Sequence, residues 1–232
     1  MKIPWLSKKK IHKKAERVIT DYELKTGNQV VPPIPIDDII ERGLNLKRGC
    51  IEFEDNMISS DILGATYVRQ RLICVNKKLI NSNCEGRLNF TWAHEAGHWV
   101  LHRQFVMPEK RSDAAGGRIL CRTEDSKEPL EWQADYFAAC LLMPDKFVHQ
   151  AFEEAFGRWP LQIYNINSRL NGPLYFDPCV KNWYQIADAV RDSGGFSNVS
   201  KQAMIIRLQD LGWVVNETNV CMDWDYIFFA NR

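Results

Sequence analysis

Residues 87–102 read Arg87-Leu-Asn-Phe-Thr-Trp-Ala-His94-Glu95-Ala-Gly97-His98-Trp-Val-Leu-His102, and the fold turns on this stretch. Just upstream, Ser82-Asn-Cys-Glu85 has the form of a capping box, with Ser at the cap and Glu three residues later. A helix is therefore expected from this point to about Arg103. Residues four apart share one helical face, about 6 Å apart along the axis. His94 and His98 have that spacing, so their imidazoles can converge on one zinc ion at about 2.0–2.1 Å from each nitrogen. Glu95 follows the first histidine directly, which places its carboxylate beside water on the metal instead of on the metal itself. Gly97 costs the helix about 1 kcal/mol and leaves bare backbone for close approach of a neighbouring element.

Two histidines need a further ligand. His102 continues the series, but it lies about 12 Å along the axis from His94, too far for one ion to reach all three. It reads as a core residue or as a second-shell partner of a ligand. A second helix is expected from Pro129, which suits a first turn, to Met143, where Pro144 stops it. Its Glu131 and Asp135 are again four apart. One of these carboxylates can complete the ligand set while the other accepts the free ring N–H of a liganding histidine. Glu124, Asp125 and Glu128 compete for the role, and spacing alone does not choose among them.

Working outward, Lys8 to Thr26 has the pattern of an amphipathic helix with a basic start, ended by Gly27. Its lysine run reads as a solvated face. Val31 to Ile36 is proline-rich and expected to be extended, after which Asp37 caps a short helix to Arg42. Between Leu63 and Asn76, β-branched and aromatic residues favour strands, although apolar and polar positions alternate only loosely. Helices are further expected at Phe147–Phe156, 182–192 and 200–211, and a hairpin turning at Asn216–Asn219. The segment 158–178 is rich in Asn, Pro and Gly and shows no clear element.

The 232 residues carry a net charge of +1, which gives no global attraction to nucleic acid or anionic membrane. No apolar run approaches the roughly 18 residues of a spanning helix, and the amino terminus lacks a secretory pattern. The seven cysteines are scattered singly, against a disulfide framework or a thiolate metal knuckle. A cytoplasmic location with no membrane partner is the expectation.

The two motif stretches resemble the ImmA/IrrE family of metallopeptidases. Residues 87–102 are similar to R-x-x-F-T-x-A-H-E-x-G-H-x-x-L-H, and Glu131 to Pro144 to E-x-x-A-N-x-F-A-A-x-L-L-M-P. Weaker echoes lie at Pro35-Ile-Asp-Asp, Gly64 to Asn76, and Val199 to Leu208. The resemblance implies an α+β, zincin-like fold, in which a small antiparallel or mixed sheet packs on the HExxH helix and the carboxyl-terminal part is mainly helical. It implies zinc held by His94, His98 and Glu131, and Glu95 as the base of an endopeptidase acting on a helix-turn-helix repressor. Asp135 departs from the family's Asn, and 158–178 has no counterpart. A core domain over 1–157 and a helical segment over 158–232 are expected.

Several details follow as expectations. Tyr67, Arg69 and His149 are candidate donors to a developing oxyanion, and a strand within 63–75 could pair with an extended substrate. A rival reading is a zinc-containing regulator that binds its partner without cutting it. Another is DNA binding by a winged helix-turn-helix at the carboxyl-terminal helices, through Lys201, Gln202 and Arg207.

Overall fold

The structure, a computed structural model, describes residues 4–52, 62–82, 84–106, 118–122, 129–163, 175–176 and 180–218. It divides into two compact units, Met1–Leu142 and Met143–Arg232.

The first unit opens with helix α1, Lys8–Thr26, which buries Ile11, Ala15, Val18, Ile19 and Tyr22 along one stripe. Gly27 ends it in the left-handed conformation at φ 74°, as its lack of a Cβ allows. Residues Ile36–Asp38 form the short α2, continued by a π-helical turn at Ile39–Gly43. Asp37 does not cap this segment: Pro35 holds the cap position, and Asp37 sits in the first turn, paired with Arg48.

Four strands follow as a mixed sheet: β1 Lys47–Ile51, β2 Ile62–Tyr67, β3 Leu72–Asn76 and β4 Arg118–Arg122. The spatial order is β1-β3-β2-β4, with β1 parallel to β3 and the other pairs antiparallel. Both strands within 63–76 are thus interior and mostly buried, which explains the loose alternation: a strand covered on both faces needs no polar side. The expectation that one of them offers a free edge to substrate is overturned, since β2 is flanked by β3 and β4, and β3 by β1 and β2. Strands β1 and β4 were not legible in the sequence. Lys-Arg-Gly-Cys-Ile has weak strand character, and its pairing with β3 supplies the order.

Helix α3, Lys77–Asn81, is capped by the Asn76 side chain, which accepts from the Lys78 N–H. Ser82 belongs to its end and not to a capping box, because its hydroxyl donates to the Leu79 carbonyl at 2.8 Å. The central helix α4 therefore begins later, at Glu85, and runs to Val106. Helix α5 covers Pro129–Leu142, and the helices α1 and α4 pack against it. Ahead of α1, Trp5 stacks on Trp132 of α5 with ring centroids 4.7 Å apart.

The second unit holds α6, Asp145–Phe156, then a small parallel sheet of β5 Leu161–Ile163, β6 Tyr175–Phe176 and β7 Val214–Asn216, in the order β6-β5-β7. Between β6 and β7 lie α7, Val180–Gly194, and α8, Lys201–Asp210, close to the expected bounds. Ser200 caps α8 by accepting from the Ala203 N–H. Phe152, Trp183, Phe196 and Leu208 are buried in this unit's core. β7 joins a parallel pair with β5, and any second arm of the expected hairpin lies outside the described residues.

Candidate metal centre

Helix α4 presents three faces to three neighbours. Ala93 and Ala96 are fully buried, and the sheet meets the helix through β2 and β3. Toward α5 the contact is close because Gly97 has no side chain. A Cβ there would lie 3.1 Å from both the Ala134 carbonyl oxygen and a Phe137 ring carbon. The glycine thus lets two helix backbones approach until side chains one turn away on each can share a point.

At that point the His94 Nε2 lies 2.9 Å from the His98 Nε2 and 3.1 Å from the Glu131 Oε2. The His98 Nε2 is 3.4 Å from the Glu131 Oε1. All three side chains are buried. Each imidazole is turned by its other nitrogen: His94 Nδ1 is 2.8 Å from the Asp135 Oδ1, and His98 Nδ1 is 3.1 Å from the His102 Nδ1. With the His94 and His98 Nδ1 protons donated outward to these partners, both Nε2 atoms and the carboxylate aim lone pairs at one place. Three acceptors at that range repel one another unless a cation lies among them. Around a tetrahedral ion with bonds of about 2.0–2.1 Å, donor atoms sit about 3.3–3.4 Å apart, and two imidazoles with a carboxylate make a zinc-type donor set. The residues present fit such an ion.

Charge agrees with geometry. Burial pushes the His98 imidazole below its ordinary value against the pull of Glu131, so it stays neutral, as a ligand must. Burial would raise the Glu131 carboxyl, but its interactions with the His94 and His98 rings outweigh it and hold the group at about 2. His102, buried and beside His98, is pushed down to about 3 and is a neutral acceptor for the His98 N–H. It stands behind His98, 3.1 Å from the His98 Nδ1.

Glu95 is fully buried and lies outside this ligand cluster. The Thr66 hydroxyl of β2 donates to its Oε2 at 2.6 Å, while its Oε1 has no hydrogen-bond partner. Burial raises the carboxyl to about 8, against the lowering effects of His94 and the Thr66 hydrogen bond. Gly64, two residues before Thr66 on the same face of β2, makes room for the free oxygen: a Cβ there would stand 2.5 Å from Oε1. Sequence reading missed Thr66. The signal available was its period-two relation to Gly64, but assigning that face to Glu95 requires knowing which strand lies under α4.

Of the other sequence candidates, Tyr67 follows Thr66 and so points from the opposite face of the sheet. Arg69 is in the exposed turn after β2. His149 lies on α6, edge-on to Trp213 with ring centroids 4.7 Å apart and 3.6 Å from Glu153. The rival ligands Glu124, Asp125 and Glu128 fall outside the described residues. For the DNA reading, Arg207 is 1% exposed, donating to the Met143 carbonyl and the Asp210 carboxylate, both at 3.1 Å. It holds α8 in place and does not face a duplex. Lys201 is paired with Asp188 at 2.6 Å, leaving Gln202 as an exposed member of that trio.

No helix among the described residues is long and apolar enough to cross a membrane. No curated protein matches the chain. Among known families, the model of the IrrE N-terminal-like domain, a metallopeptidase domain, matches residues 53–158. That span includes both β2 and the two helices whose close approach assembles the cluster, so this part of the chain is similar to the metallopeptidase domain of the ImmA/IrrE family.

Proposed function

We propose that the protein is a cytoplasmic, zinc-dependent endopeptidase that cuts a helix-turn-helix transcriptional repressor. The observation that carries the chemistry is the division of labour on α4. His94 and His98 converge with Glu131, while the Glu95 between them keeps one carboxylate oxygen without a partner. A zinc ion held by the three ligands would polarise a scissile carbonyl and make water acidic enough to lose its proton near neutral pH. Glu95 in its ionised form, which the positive charge of a bound zinc would favour, would take that proton at Oε1 and pass it to the leaving amine, with Thr66 fixing the other oxygen so that Oε1 keeps its aim. Asp135 orients the His94 ring, and its extra negative charge relative to asparagine strengthens that hydrogen bond.

Support for a protein substrate comes from the sheet. β4 is an edge strand among the described residues, directly beside β2, whose Gly64 and Thr66 contact Glu95. An extended segment can add to such an edge by main-chain hydrogen bonds. The repressor as substrate rests on the likeness to a family whose members act on such proteins.

The test measures metal first and cleavage second. Elemental analysis is expected to find near one zinc per chain in the wild type and much less in His94→Ala and Glu131→Ala. A repressor encoded beside this gene should then be cut by the wild type and left intact by Glu95→Gln, which keeps its zinc. Cleavage by Glu95→Gln would overturn the role of Glu95. A zinc-loaded wild type that binds the repressor without cutting it would instead favour the non-cleaving regulator.

A further inference from the structure

We propose that the exposed face of α1 is a binding surface for the phosphate backbone of double-stranded nucleic acid. The chain is nearly neutral overall, yet Lys8, Lys9, Lys10, Lys13 and Lys14 put five positive charges into seven residues. At 3.6 residues per turn, Lys9, Lys10, Lys13 and Lys14 fall within about 140° of the helix circumference, so four ammonium groups share one solvent face.

Three features set this run apart from an ordinary solvated helix. First, the charges stand where a helix least tolerates them. The first turn holds no acidic residue, and the positive end of the helix dipole lies under the lysines. The same residues near the carboxyl end would stabilise the helix, so this placement lowers stability and calls for another reason. Second, four of the five lysines are uncompensated among the described residues. The acids farther along α1 are taken by their own partners, Glu16 by His12 at 3.2 Å and Asp21 by Arg17 at 3.7 Å. Among the described residues Lys9, Lys10, Lys13 and Lys14 are exposed and have no carboxylate partner. Third, the helix cannot roll. Ile11, Ala15, Val18, Ile19 and Tyr22 anchor the opposite stripe in the core, so Lys9, Lys10, Lys13 and Lys14 are held outward, while Lys8 turns toward the Tyr136 ring of α5.

The same anchoring selects the partner. A membrane-surface helix must bury an apolar face in lipid, and this helix has already spent its apolar stripe on the protein core. A protein partner is ordinarily gripped by aromatic or arginine anchors, which the lysine run lacks. A dense patch of ammonium groups with neither feature suits the phosphates of a duplex, recognised through charge and without base sequence.

The test uses the full chain and a short mixed-sequence duplex, with binding read by fluorescence anisotropy across a salt series. Four phosphate contacts predict a slope of about −4 in log K against log salt, a loss of roughly a hundredfold between about 50 and 200 mM. The variant Lys9→Gln/Lys10→Gln/Lys13→Gln/Lys14→Gln should lose nearly all of that slope. It should also melt no lower than the wild type, because glutamine keeps helix propensity and relieves the dipole conflict. Lys77→Gln/Lys78→Gln, on α3, should bind as the wild type does. Absence of duplex binding at low salt overturns the proposal, as does an unchanged salt slope in the quadruple variant. Equally tight, lysine-dependent binding to phosphatidylserine vesicles also overturns it. Glu95→Gln should bind the duplex normally, so failure of the peptidase reading and failure of this one are separable.

Discussion

At the scale of single residues, the candidate centre is governed by what surrounds each carboxylate. Glu131 meets two imidazoles and stays ionised, whereas Glu95 meets a hydroxyl and a glycine, and is raised by burial. Gly64 and Thr66 therefore matter as much as the histidines. Gly64→Ala is expected to drive a methyl group against the Glu95 Oε1 and lower kcat about a hundredfold or more, through a sub-ångström misplacement of the base. Thr66→Val should remove the donor to Oε2 and cost about 1–3 kcal/mol of stability. Both variants should keep wild-type zinc, measured beside the kinetics; metal loss in either would show that the β2 face supports the ligands themselves. A cysteine on the same sheet gives an independent check on burial. Cys74, interior on β3, has its thiol pushed up to about 11 by burial, with Cys50 and Glu95 adding to the effect. It should resist iodoacetamide in the native protein, while exposed Cys84 reacts, as peptide mass spectrometry would report.

At the scale of elements, helix ends show which local signals decided structure. Gly27 and Gly212 stop chain segments at positive φ, 74° and 77°, and both stops were visible as glycines. Caps were less legible. Ser7, Ser82 and Ser200 all precede helical patterns, but among the described contacts Ser200 accepts from a helix N–H, Ser82 closes α3 by donating backward, and Ser7 makes no side-chain cap bond. A serine can serve a helix on either side, and the path of the chain chooses. Ser200→Ala should therefore lower stability by about 1 kcal/mol, and Ser7→Ala by much less. Urea titrations of the two variants would measure this, and equal losses would show that the cap geometry does not govern the helix.

At the scale of the whole molecule, two compact units carry separate cores, and the metal cluster lies wholly within Met1–Leu142. A metal ion held by the cluster should stabilise that unit by mass action, by about 4 kcal/mol when free metal exceeds its dissociation constant a thousandfold. Removing a bound metal would leave three lone-pair-bearing groups facing one another without the cation that offsets their repulsion. Hydrogen exchange after chelation is thus expected to rise in α4 and α5, while α7 and α8 keep their protection. Equal loss of protection in both units would mean that they unfold as one body.

The sequence by itself determined the chemistry of α4 and α5, because the features that matter there are local. A four-residue spacing puts two side chains on one helical face whatever the helix packs against, and proline and glycine mark ends through their own backbone limits. His94, Glu95 and His98 could thus be named from spacing, with Glu131 and Asp135 as a candidate pair of carboxylates, and the family likeness placed Glu131 ahead of its competitors. Tertiary structure alone decided strand order, and with it three further outcomes. β2 and β3 became interior and lost the role of substrate edge; Thr66 and Gly64 came under Glu95; and β1, a poor strand by composition, formed on β3. It also buried Arg207, which a helical pattern alone leaves free to face a ligand. The physical reason is common to all of these. Pairing between strands and burial of one side chain against another join residues distant in the chain, so their outcome depends on neighbours that no local spacing encodes.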